Sequence, residues 1–109
     1  PGRTVVAVLS YPRMGATMRF DETDLLQDLL IFDVQRDGQD VHVDLYGGRD
    51  NVCGSVRFTF PDPVDRRRNL AQLREWQRDE VPVALLSYGD TITLLSERAL
   101  LDRCLQQTS

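Results

Sequence analysis

LIFDVQRDGQDVHVDL, residues 30–45, is the stretch on which the fold turns. Leu30, Phe32 and Val34 alternate with polar Asp33 and Gln35, and beyond Asp37-Gly38 the alternation resumes at Val41, Val43 and Leu45. An apolar period of two marks strands with one buried face, and Asp-Gly between such runs is a favoured two-residue hairpin turn. With Asp37-Gly38 as the turn, Arg36 pairs with Gln39 and Val34 falls opposite Val41. Turn chemistry and apolar faces then agree on one register.

Working outward, Val56, Phe58 and Phe60 predict a third strand after the loop Gly47-Gly48-Arg49-Asp50-Asn51. Asp62-Pro63 opens a helix, with Asp at the N-cap and Pro at the first helical position, where the backbone amides have no intrahelical acceptor. That helix runs to about Asp79, and Pro82 forbids its continuation. Residues 83–88 and 91–95 form a second hairpin about Gly89-Asp90, which suits a type II′ turn and sets Leu85 opposite Leu94. Residues 97–105 read as a short C-terminal helix.

Upstream, the Val-rich residues 4–10 read as a strand ended by Tyr11-Pro12 and Gly15, and residues 16–20 as a second short strand. Asp21 to Asp24 offer N-cap candidates before Leu25, Leu26, Leu29 and Leu30. The spacing of those four leucines predicts a short helix.

From residue 30 the predicted order is strand, strand, strand, helix, strand, strand. This order resembles that of an OB-fold, in topology alone, since no sequence motif accompanies it. The fold class expected is a single α+β domain. Its small curved antiparallel sheet, or partly open β-barrel, carries an added N-terminal strand and short helices.

The composition is that of a globular chain. Of 109 residues 41% are hydrophobic, enough for one core, and no apolar run approaches the roughly 18 residues of a membrane-spanning helix. All 13 basic residues are arginine, a bias that GC-rich bacterial coding produces by itself. The net charge of −4 provides no global field for nucleic acid or anionic membrane, so either would need a local basic patch. Cys53 and Cys104 are too few for a disulfide framework and lack metal-site spacing, so a soluble protein in a reduced cytoplasm is the default expectation, with a single disulfide left open. The opening Pro1-Gly2 lacks an initiator methionine and a signal-type segment, as in a domain excised from a longer chain.

Two candidate binding regions stand out. The helix carries Arg66, Arg67, Arg68, Arg74 and Arg78, of which Arg67, Arg74 and Arg78 line up along one edge of the apolar arc Leu70-Leu73-Trp76. Arginines in a first turn oppose the helix dipole by roughly 0.3–1 kcal/mol each, so Arg66 to Arg68 call for compensation. An anion or an acidic partner would supply it, and so would pairing with Asp62 and Asp65. The second region is the glycine-rich loop, with Gly47, Gly48, Arg49, Asp50 and Asn51 able to present backbone amides to a phosphate, although no P-loop or dinucleotide fingerprint is present. Trp76 is expected to anchor the core.

Catalytic signals are weak. His42, Asp44 and Tyr46 share the face opposite Val41, Val43 and Leu45, but no third metal ligand accompanies His42 and Asp44. A Cys53–His42 dyad fails on distance: Cys53 must lie opposite Tyr46 or Gly48, roughly 13 Å along the ladder from His42 at ~3.4 Å per residue.

The expected role is a non-enzymatic protein-interaction or assembly module, using the arginine-lined helix, needing no cofactor, and open to homo-oligomer formation. The alternative is an OB-like single-stranded nucleic-acid binder, with Phe20, Tyr46 and Tyr88 stacking on bases and the helix arginines holding phosphates, disfavoured by the net charge. An enzyme or small-ligand sensor of unrecognised type is the remaining class.

Overall fold

In a computed structural model, which describes residues 9–12, 16–18, 25–47, 52–88 and 91–107, seven strands form one antiparallel sheet. The elements are β1 (Leu9–Pro12), β2 (Ala16–Met18), β3 (Leu25–Asp37), β4 (Asp40–Gly47), β5 (Val52–Thr59), α1 (Pro63–Arg78), β6 (Val83–Tyr88), β7 (Thr91–Ser96) and α2 (Glu97–Gln107). The strand order is β1-β7-β6-β3-β4-β5-β2, and the sheet does not close. The fold is α+β with a small curved sheet, in the element order expected from residue 30 onward.

β3 creates the curvature. Its first part pairs with β6 (Leu25↔Leu86, Leu26↔Leu85, Leu29↔Val83) and its second with β4 (Leu29↔Gly47 through Asp37↔Asp40). Irregularities between Leu26 and Leu29 on one side, and between Ile31 and Asp33 on the other, bend it. Bulges of this kind raise local twist and re-aim side chains.

This strand corrects the helix expected over Leu25, Leu26, Leu29 and Leu30. Leu29 is buried, Leu25, Leu26 and Leu29 pair with β6, and Leu30 pairs with Tyr46 of β4, so sheet pairing overrides the helical spacing. The bulge also reverses the expected facing of Leu30 and Phe32. Leu29 and Ile31 point inward, the phase slips by one residue, and Val34 points inward after it, leaving Phe32 68% exposed.

The β3–β4 register is Asp37↔Asp40 and Val34↔Val43, so the turn residues are Gly38-Gln39, not Asp37-Gly38. Beyond the bulge the slip keeps each side chain on its expected face, because the pairing there moves by two residues. Gly38 takes the positive φ of 62°, which glycine adopts at little cost as the first central residue of such a turn. The second hairpin pairs Leu85 with Leu94 as expected, while its turn lies outside the described residues. So do residues 4–8, Arg19, Phe20 and the Asp21 to Asp24 caps.

α1 follows its sequence signals closely. The Asp62 carboxylate accepts from the Val64 amide at 2.9 Å, and Pro63 occupies the first turn. At the other end Glu80, at φ 51°, reverses the chain, so that the Val81 and Glu80 amides donate to the Trp76 and Gln77 carbonyls at 3.0 and 3.3 Å. These two bonds form the Schellman motif, with glutamate in the position that normally favours glycine.

The core lies between α1 and the inner face of the sheet. Leu73 and Trp76 pack there with Ile31, Val41, Val43, Val56, Phe58 and Leu94. α2 covers the opposite face of the β6–β7 hairpin, where Ala99 meets Ala84 and Leu95. α2 therefore covers the outer face of the β6–β7 half, and the outer face of β3–β4–β5 has no helix among the described residues. None of the described helices is long and apolar enough to cross a membrane.

Candidate binding surface

The uncovered face carries the chemistry. Along β4 it presents Asp40, His42, Asp44 and Tyr46, opposite Thr59, Arg57, Ser55 and Cys53 of β5. The bulge adds Phe32, whose ring meets that of Tyr46 edge-on, with centroids 5.9 Å apart and planes at 88°. Such T-shaped contacts place the positive edge of one ring over the negative face of the other. Phe32, Tyr46, Asp44, Ser55 and exposed Cys53 line an open groove of ≈ 660 Å³.

α1 holds the bulge in place. The Gln77 side-chain amide donates to the Phe32 carbonyl at 2.8 Å.

The polar residues around the groove are partly committed. Asp40 accepts from the Thr59 hydroxyl at 2.8 Å and faces the Arg57 guanidinium at 3.7 Å. His42 Nε2 lies 3.3 Å from Asp44 Oδ1, and Gln35 donates to Asp33 at 2.7 Å. Asp33 and Asp44 stand directly opposite each other in the ladder. Like charges in that position repel, and no arginine is ion-paired with either among the described residues.

Cys53 lies opposite Tyr46, four positions from His42 along β4, which keeps the two apart. Among the described residues no cluster of three or more His, Cys, Asp or Glu is arranged to hold a metal ion.

The five helix arginines divide into two groups. Arg66 Nη1 donates to the Phe60 carbonyl at 2.9 Å, tying the first turn of α1 to the end of β5, and Arg68 pairs with Asp65 at 2.6 Å. These contacts supply the compensation for Arg66 and Arg68. Arg67, Arg74 and Arg78 form the exposed stripe. Arg78 donates to Asp79 at 3.1 Å, and that hydrogen bond, followed by the Coulomb attraction, raises its pKa above the ordinary arginine value. Of the glycine-rich loop only Gly47 is described, with Gly48, Arg49, Asp50 and Asn51 outside the described residues.

Sequence reading missed the Phe32–Tyr46 groove. The signal was present as two overlapping apolar phases, Leu29 and Ile31 against Leu30, Phe32 and Val34, which only a bulge reconciles. Comparison of the chain with protein-family models, curated proteins and solved structures returns no match.

Proposed function

We propose that the chain is a non-enzymatic protein-interaction or assembly module, working through the arginine stripe of α1 and the uncovered sheet face. The observation that carries this reading is Phe32, 68% exposed beside the half-exposed Tyr46 on a face flanked by a helix-covered one. Aromatic residues and arginine are the side chains most enriched at interfaces. With only two cysteines, a reduced, cytoplasmic setting suits it.

Affinity capture from cell extract tests it, with immobilised wild type compared with Phe32→Glu. The expected result is a stoichiometric protein held by the wild type and lost from the variant. Equal retention by both, or no retention by either, counts against the reading.

A second reading, a single-stranded nucleic-acid binder, draws on the exposed Phe32 and Tyr46 of an OB-like order, since aromatic residues on a sheet can stack on bases. Asp33, Asp40 and Asp44 on the same face oppose phosphate. Fluorescence anisotropy with an oligonucleotide at low salt decides it, and an unchanged signal removes it.

A further inference from the structure

The opposed carboxylates Asp33 and Asp44, next to the Phe32–Tyr46 pair, make an acidic and aromatic site in which, among the described residues, only the His42 imidazole approaches Asp44 and no arginine pairs with either carboxylate. A guanidinium answers each part of it, by a forked hydrogen bond to a carboxylate and by attraction to a ring face. The same chain carries a complementary surface. Arg67, Arg74 and Arg78 fall within ~40° of one another around α1 and are spaced ~10.5 and ~6 Å along its axis. Exposed Val64 and Ala71 adjoin the stripe and supply apolar contact.

Dimensions agree as well. Three strands at ~4.8 Å spacing give β3–β4–β5 a breadth of about 10 Å between the outer two, the width of one helix, beside the half already covered by α2. On one row of that face, Asp40, which faces Arg57, lies four residues from Asp44, ~13 Å along β4 and within the ~16.5 Å that the stripe spans from Arg67 to Arg78.

Resting on the interaction-module reading, we infer that the occupant of the uncovered face is the α1 arginine stripe of a second copy of this chain, with Arg74 set between the Phe32–Tyr46 pair and the Asp33/Asp44 carboxylates. The stripe and the acceptor face lie on opposite sides of the sheet. The contact is therefore heterologous, and each bound copy presents a free face to the next, so association continues beyond the dimer as a ring or a filament.

Sedimentation velocity over a concentration series, at low and high salt, tests this with wild type, Asp44→Arg and Arg74→Glu. The wild type is expected to pass beyond dimer as concentration rises and to dissociate in high salt. Each charge reversal alone is expected to abolish association. An equimolar mixture of the two is expected to restore it, because the carboxylate introduced on the stripe of one variant meets the guanidinium introduced on the sheet face of the other, while the native Arg74–Asp44 contact forms in the reverse direction. The restored assembly also shows that both variants are folded.

A wild type that remains monomeric, variants that associate like the wild type, or a mixture that stays dissociated each overturns the inference. If the wild type is monomeric yet captures a different protein in a Phe32-dependent way, only self-docking fails. If it does neither, the interaction reading fails with it.

Discussion

A β-carbon on Gly47 would stand 2.9 Å from the backbone carbonyl oxygen of Asp28, and Gly47 holds a φ of 113° that L side chains rarely adopt. The obstructing atom is backbone, so no side-chain rotation relieves the contact. Gly47→Ala is expected to destabilise the domain by about 1–3 kcal/mol. Urea denaturation measures it, and an unchanged midpoint would mean that β3 and β4 do not approach so closely there.

Gly38 separates backbone conformation from crowding. A β-carbon there meets nothing within 4 Å, while φ is 62°. Gly38→Asn, which tolerates the left-handed region, is expected to cost little, and Gly38→Val about 1–2 kcal/mol. Equal melting temperatures for the two variants would contradict the assigned turn.

Trp76 is 5% exposed and packed in the main cluster. Trp76→Ala is expected to remove about 3–5 kcal/mol, a large share of the stability of a domain this size. A variant with wild-type near-ultraviolet dichroism elsewhere and an unchanged unfolding midpoint would place the indole outside the core.

Glu80 offers a gain. At φ 51° Glu80 holds, against the steric preference of its β-carbon, a conformation that glycine adopts freely, and the Val81–Trp76 hydrogen bond goes with that conformation. Glu80→Gly is expected to stabilise by up to about 1 kcal/mol, reduced by the greater freedom of glycine in the unfolded chain. Thermal unfolding checks the sign, and a lower melting temperature refutes the argument.

These positions show where sequence reading succeeded and where it stopped. The α1 boundaries were legible because Asp62, Pro63 and Pro82 act locally, through one cap and two backbone restrictions. The Leu85↔Leu94 register followed from a turn and two apolar runs close in sequence. The path of β3 did not, because its leucines satisfy a helix and a strand equally until β6, far along the chain, supplies a partner. The exposure of Phe32 depends on the bulge, whose position β4 and Gln77 fix jointly. In the stripe, the spacing that aligned Arg67, Arg74 and Arg78 held because helical periodicity is local, whereas the Arg66 contact to Phe60 required the packing of α1 against β5.

The division of β3 between two partners also sets an order in time. The β3–β4–β5 meander and the β6–β7 hairpin each close over short loops, whereas the β3–β6 joint must wait for the intervening chain, including α1, to be gathered. That joint is therefore expected to be the late event in folding and an early one in unfolding. Leu26→Ala, altering a residue that pairs across the joint with Leu85, is expected in stopped-flow measurements to accelerate unfolding while leaving the folding rate nearly unchanged. A slowed folding arm would instead place the joint in the nucleus, and the two halves of the sheet would then form as one cooperative step.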